Sequence, residues 1–142
     1  MTKASSRQQP ASIFVSHGSP DLVLHNTEAK RFLEGASSDF PRPHAIVSVS
    51  AHFETAIPTI VTDPSPEMIY DFRGFDSRLR EIVYSAPGSA SIGEKISALL
   101  SEAGIDHDTI EKRGFDHGTW VPLSLLYPQA DIPVVQLSVQ PH

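Results

Sequence analysis

Apolar runs that end in turn residues alternate along this chain with helical patterns. The runs Ser12 to Ser16, His44 to Ala51, Thr59 to Thr62 and Ile132 to Val139 have the length and composition of strands. The first two predict buried strands, the second of them packed on both faces. A weaker run, Asp108 to Glu111, predicts one more short strand. Strands alternating with helices predict an α/β fold with a mainly parallel sheet flanked by helices.

Helix signals fill the intervals between the runs. The predicted helices are Thr27 (N-cap) to Glu34 with Gly35 as the stop, Asp76 (N-cap) to Tyr84, Ser91 to Ala103 with Gly104 as the stop, and Val121 to Leu126 with Pro122 in the first turn. Ser91 and Glu94 have the spacing of a capping box. The segment DPSPEMIYDFRGF is rich in proline, glycine and aromatic residues, which predicts a shaped loop.

Chain length predicts one domain. With 142 residues, residues 12–142 are expected to form a single α/β domain behind a flexible tail, residues 1–11. The last predicted strand is followed by only three residues, so the sheet is expected to be truncated at its edge. An uncovered edge would expose apolar surface and unpaired backbone groups, and we therefore expect either a homodimer over that face or low stability.

Composition narrows the classes of function. The net charge of −6 is spread along the chain, which argues against a nucleic-acid-binding surface. Cysteine is absent, so any metal must bind histidine or carboxylate side chains. The first ten residues lack the apolar core of a signal peptide, and no apolar run approaches the roughly 18 residues of a membrane span. We therefore expect a cytoplasmic protein that does not bind membranes.

Two histidines stand directly after predicted buried strands. His17 follows the first run and His52 follows the second, and both are flanked by small residues. If the two strands are neighbours, both imidazoles converge at one edge of the sheet. Two imidazoles and a third ligand leave metal positions open for substrate and oxygen. The alternative is that each imidazole forms a hydrogen bond with loop backbone, and spacing alone does not decide between the two.

His117 lies in the motif GFDHGTW, where glycines flank a predicted tight turn. It either presents its imidazole to a site or stabilises the turn. Glu54, Asp71 and Asp116 are the acidic residues nearest this region, and each also suits a solvated or capping role. The aromatic residues that could line a pocket for a flat ligand are Phe53, Phe72, Phe75, Phe115 and Trp120, although core packing explains them equally well. His25, His44, His107 and His142 have no predicted role.

Six motifs in order resemble one protein family. They are SHGSP (16–20), PRPHAIVSVSAHF (41–53), IYDFRGF (69–75), YSAPGS (84–89), GFDHGTWVPL (114–123) and YPQADIPVVQLS (127–138). Together they resemble the N-terminal half of LigB-like class III extradiol ring-cleavage dioxygenases, and the DOPA 4,5-dioxygenase type is the most similar branch.

That resemblance implies a single non-haem metal held by His17 and His52. The metal is Fe(II) in the ring-cleaving enzymes, and zinc is reported in some bacterial relatives. The corresponding residue to His117 contacts substrate in such enzymes, so His117 is expected to be catalytic without binding the metal. The implied substrates are a catechol, such as DOPA, and O2, and the implied reaction is ring opening.

Two departures from the family pattern bear on that expectation. Arg73 and Ser85 stand where a small residue and a proline are expected, which affects a pocket loop but not the ligands. Family members also continue beyond this point and there supply a further metal ligand and a catalytic histidine. Two other classes therefore stay open, a non-catalytic binding module of the Memo type and a zinc hydrolase, which needs a general base beside a metal-bound water.

Overall fold

The protein is described by a computed structural model that covers residues 12–141. The predicted tail, residues 1–11, and His142 lie outside the described residues. Its main elements are α1 (Glu28–Ala36), β1 (Ile46–Glu54), β2 (Thr59–Val61), α2 (Ala90–Glu102), β3 (Asp108–Ile110), α3 (His117–Leu126) and β4 (Val134–Val139). Short 3-10 helices span Pro20–Leu24, Ser37–Asp39 and Ser77–Glu81. Within residues 12–141, no helix is long and apolar enough to cross a bilayer.

The four strands form one mixed sheet in the order β1–β4–β2–β3. The pairs β1–β4 and β2–β3 are parallel, whereas β2 and β4 meet antiparallel at Ile60 and Leu137. Helix α3 packs against β1, α1 packs against α3, and α2 packs against β2. The predicted class, an α/β fold with a mainly parallel sheet flanked by helices, is therefore confirmed.

Helix α3 is the centre of the hydrophobic core. Eight of its ten residues are buried, and Trp120 and Val121 are fully enclosed, as expected for a helix that is apolar all round. The predicted start at Val121 is wrong, because the helix begins at His117. Asp116 caps it by accepting a hydrogen bond from the Thr119 N–H. Pro122 therefore lies inside the helix rather than in its first turn.

Of the other three predicted helices, two agree with the structure to within a few residues and one does not form. Thr27 caps α1 as predicted, although the helix continues through Gly35 to Ala36. Helix α2 is capped by Ser89 instead of Ser91, and Gly104 follows its end with a φ of 70°, the left-handed conformation that glycine adopts without strain. Asp76 caps only a short 3-10 helix, so the predicted helix through Tyr84 is wrong.

The two predicted buried strands differ most from the structure. Residues 12–16 form no strand, and the Phe14 side chain is fully exposed. Strand β1 forms, but it lies at the edge of the sheet, where Val47 and Val49 are 47% and 57% exposed. It also continues past Ala51, so His52 lies within the strand and not after it. Apolar composition predicts a strand, but the neighbours that cover it depend on the topology. The homodimer or low stability expected from an uncovered edge stays a prediction.

Candidate metal centre

Three histidines that are distant in sequence meet beside the N-terminal end of α3. His17 follows the segment 12–16, which forms no helix or strand, His52 extends from β1, and His117 is the first residue of α3. Their ring centroids are 5.1 Å apart for His17 and His52, 4.8 Å for His17 and His117, and 4.0 Å for His52 and His117. One ring nitrogen from each residue lies within 4.8 Å of the other two. The sequence-predicted residues are thus brought together.

The His17 and His52 nitrogens have the separation of two ligands on one ion. Their Nε2 atoms are 3.1 Å apart. For metal–nitrogen bonds of about 2.0–2.1 Å, this distance corresponds to a nitrogen–metal–nitrogen angle of about 100°, between the octahedral and tetrahedral values. Two ligands of one ion can be at most about 4.2 Å apart with such bonds. The donor set and its spacing therefore fit a divalent transition metal.

His17 is held in a partly buried environment that favours neutral imidazole. Burial lowers its pKa below 6.5, and the charges of the protonated His117 and His52 would lower it further. The neutral ring is the form that binds metals. Among the described residues, the buried His17 Nδ1 has no hydrogen-bond partner, whereas metal-binding histidines usually donate from this second nitrogen.

His117 is the buried member of the cluster and is paired with a carboxylate. Its Nδ1 lies 2.7 Å from Asp71 Oδ1, and its backbone N–H donates to the same oxygen at 3.1 Å. Burial raises the pKa of Asp71, but the hydrogen bonds from the His117 ring and N–H outweigh this, so the pKa is lowered overall. The Phe72 ring meets the His117 ring edge to face at 6.0 Å.

A buried hydrogen-bond network fixes His52 relative to α3. Asp116, which is 1% exposed, accepts from the Ser50 hydroxyl at 2.7 Å and from Arg113 at 2.8 Å. Ser50 Oγ in turn accepts from the His52 N–H at 3.1 Å, and Arg113 donates to the His52 carbonyl at 3.3 Å. The Arg113 guanidinium also stacks on Phe53 at 4.0 Å. The Ser50 hydroxyl and the Arg113 guanidinium therefore hold the His52 backbone at its N–H and at its carbonyl, and Asp116 holds both of these groups.

Gly118 allows α3 to approach β1 at this point. A Cβ atom added to Gly118 would lie 2.4 Å from Ser50 Oγ and 2.9 Å from His52 Cδ2, both closer than van der Waals contact allows. The absence of a side chain here lets the first turn of α3 and the His52 ring occupy neighbouring positions.

The other sequence-selected residues have different environments. Glu54 is exposed at the end of β1, while Phe53, Phe115 and Trp120 are buried in the interior. Of the five aromatic residues, only Phe72 contacts the His117 ring, and Phe75 packs against Phe72 at 5.8 Å. His25 forms an exposed pair with Asp21, and His107 bonds with Ser97 and the Ile105 carbonyl.

Sequence reasoning missed two residues around the site, Ser50 and Arg113, and it assigned Gly118 to a turn and not to the contact between α3 and β1. Ser50 had a usable signal, because alternation along a strand places it on the same face as His52. The i,i+3 spacing of Arg113 and Asp116 is a local signal, but the other partners of Arg113, Gln136 and His52, come from separate strands.

Comparisons with known proteins agree on one family. A family model described as the catalytic LigB subunit of aromatic ring-opening dioxygenase matches residues 13–142. The chain is 46% identical over 135 residues to a Beta vulgaris protein named 4,5-DOPA dioxygenase extradiol. The match covers 92% of this chain and 50% of that protein. An Escherichia coli (strain K12) protein of the same name is 42% identical over 135 residues, covering 95% of this chain and 49% of the relative. The chain thus spans about half the length of the curated relatives it matches.

A solved structure supports the same relationship. The crystal structure of uncharacterized protein JW3007 from Escherichia coli K12 superposes with a TM-score of 0.62 at 36% sequence identity. The match covers 80% of this chain and 41% of the other chain, so the likeness again concerns about half of the larger protein.

Proposed function

Because the chain belongs to the LigB family of aromatic ring-opening dioxygenases, we propose that it binds a non-haem metal ion through His17 and His52 and takes part in extradiol cleavage of a catechol. The observation that carries this proposal is the 3.1 Å separation of the two Nε2 atoms, which suits two ligands of one ion. Relatives named 4,5-DOPA dioxygenase extradiol make a DOPA-like catechol the substrate to test first.

We propose Fe(II) as the ion, with Zn(II) as the alternative, because ring cleavage by O2 needs a redox-active metal. When bound, it would acidify the catechol hydroxyls and mediate electron transfer to O2, whereas zinc has no redox chemistry. Two histidine ligands leave the other positions of the ion for substrate, oxygen and further ligands. Within residues 12–141, this cluster is the only group of three or more side chains that could together hold a metal ion.

We assign His117 a role toward substrate instead of toward the metal. Its Nδ1 is engaged by Asp71, so Nε2 is the nitrogen left to accept a proton from a catechol hydroxyl. The Phe72 ring beside it contributes an apolar surface suited to an aromatic ligand. General acid–base groups of this kind typically contribute about 10²- to 10⁴-fold to a rate.

The test begins with the metal content of the anaerobically purified chain. Fe(II) and DOPA are then added, and O2 consumption is followed together with the yellow ring-opened product. His17→Ala and His52→Ala are expected to abolish metal binding, while His44→Ala is the matched control, because His44 is exposed at the other end of β1. His117→Ala is expected to keep the metal and to lose turnover by about 10²-fold or more.

Each part of the proposal fails on a different result. Unchanged metal content in His17→Ala or His52→Ala would contradict the ligand assignment. Loss of metal in His117→Ala as complete as in those variants would make His117 a ligand. A chain that binds metal but consumes no O2 with any catechol would contradict ring cleavage while leaving the metal site in place.

A further inference from the structure

We infer that Asp71 is a positioning residue that fixes His117 in the tautomer with its proton on Nδ1, which leaves Nε2 free to accept a proton. The catalytic consequence of this inference rests on the function proposed above, but the tautomer itself does not. Neither the family match nor the relatives' names say anything about Asp71. From the sequence alone, Asp71 also suits the role of an ordinary solvated or capping carboxylate.

One carboxylate oxygen holds both the ring and the backbone of His117. Asp71 Oδ1 lies 2.7 Å from the ring Nδ1 and 3.1 Å from the backbone nitrogen of the same residue. A carboxylate is an acceptor only, so the short contact with Nδ1 requires the proton on that nitrogen. The second bond ties the same oxygen to the first turn of α3, which limits rotation of the ring about its side-chain torsions.

The segment that carries Asp71 is itself anchored to the chain just before His117. The Ile69 N–H donates to the Phe115 carbonyl at 2.8 Å, and the Phe115 N–H donates to the Glu67 carbonyl at 2.7 Å. A Cβ atom on Gly114 would lie 2.5 Å from the Glu67 carbonyl oxygen, so the two segments approach as closely as a glycine permits. Backbone contacts between the two segments therefore set the distance from Asp71 Oδ1 to His117 Nδ1.

The residues after Asp71 close the other side of the ring. Phe72 is buried and meets His117 edge to face at 6.0 Å, and the His52 ring is 4.0 Å from the His117 centroid. Trp120 Nε1 donates to the Ile69 carbonyl at 3.3 Å, which links the segment to α3 a second time. The His117 ring is thus confined by a carboxylate, an aromatic edge and a second imidazole.

The tautomer can be read directly in the metal-free protein. Long-range ¹H–¹⁵N correlation spectra distinguish a proton on Nδ1 from one on Nε2, at a pH well above the ordinary imidazole value of about 6.5. The wild-type chain is expected to show His117 predominantly with its proton on Nδ1. Asp71→Ala removes the acceptor and is expected to shift the tautomer ratio at least about tenfold toward the proton on Nε2.

Two further variants separate positioning from a merely structural role. Asp71→Asn keeps an oxygen that can accept the His117 backbone N–H, but a neutral amide holds the ring proton less strongly. Its tautomer ratio is expected between those of wild type and Asp71→Ala. Asp21→Ala removes the carboxylate of the exposed pair with His25, and it is expected to leave the His117 signals unchanged.

The outcomes are separable from those of the proposed function. His117 with its proton on Nε2 in the wild type, or an unchanged ratio in Asp71→Ala, would overturn the inference whether or not the chain binds metal. If the chain is active, Asp71→Asn should lower turnover about 10- to 100-fold at unchanged metal content. A wild-type chain that binds no metal and shows no activity, but has the predicted His117 tautomer, would overturn the proposed function alone.

Discussion

Replacing Gly118 with alanine tests whether close packing of α3 on β1 sets the position of His52. Gly118 does not have a positive φ, so alanine suits the backbone and should improve helix propensity by up to about 1 kcal/mol. The added Cβ, however, would lie 2.4 Å from Ser50 Oγ, 2.9 Å from His52 Cδ2 and 3.1 Å from Asp116 Oδ1. The clash and the propensity gain therefore act in opposite directions.

The clash should dominate. Overpacking a buried site costs about 1–3 kcal/mol, and moving the Ser50 hydroxyl weakens its hydrogen bond with the Asp116 carboxylate, which contributes about 1.5–3 kcal/mol. After the propensity gain is subtracted, the net cost is about 1.5–5 kcal/mol, and Gly118→Ala should lower the free energy of unfolding by about 3 kcal/mol, near the middle of that range. For a chain of this size, that corresponds to a decrease in Tm of about 10 °C. Metal affinity should fall with it, since His52 must move.

Gly35→Ala is the matched control for this experiment. Gly35 lies in α1, where an added Cβ meets nothing within 4 Å, so the same substitution should stabilise the protein by up to about 1 kcal/mol. Urea unfolding of both variants measures the two free energies on one scale. A Gly118→Ala protein as stable as Gly35→Ala would refute the packing argument.

Two other substitutions test buried polar groups. Burial is the largest cause that raises the pKa of Tyr84 to about 12, and the nearby Asp131 and Tyr127 add to it. The contribution of this group to the free energy of unfolding is therefore fully present below about pH 10 and is lost as the pH rises toward about 12. The loss amounts to about 3 kcal/mol, and Tyr84→Phe should remove this part of the alkaline decline in urea unfolding measured at several pH values. Arg113→Ala should cost about 3 kcal/mol because it leaves the buried Asp116 without its cation. Arg42→Ala, at an exposed pair, should cost less than about 1 kcal/mol.

Local sequence signals predicted the fold class and most element positions. The caps Thr27 and Asp76 and the stop near Gly104 depend on backbone groups within a few residues, so the chain itself displays them. Some local helix signals failed as well, at the segment after Asp76 and at the start of α3, but the largest failure concerns long-range partners. Whether β1 is central or at an edge depends on which strand pairs with it, and the run alone, with its Val47 and Val49, looks the same in both cases.

The candidate site shows the same division. His17, His52 and His117 were selected from strand ends, flanking small residues and family motifs, and the fold brings all three together. Asp71 was also noticed, but its contact with His117 joins residues 46 positions apart, and no periodicity reports such a distance. Composition around Asp71 cannot distinguish a solvated carboxylate from one that orients an imidazole.

The three imidazoles are not held equally firmly, and this difference bears on metal binding. The backbone of His52 is fixed by β1, Ser50 and Arg113, and the ring of His117 is fixed by Asp71. His17 follows an exposed segment that forms no strand, and its Nδ1 has no partner among residues 12–141. Because the His17 backbone lies outside any strand, ordering it should cost more conformational entropy on ion binding than ordering the His52 backbone. Affinity for the metal should accordingly depend more on what restrains the His17 backbone than on the contacts that already hold the His52 backbone in β1.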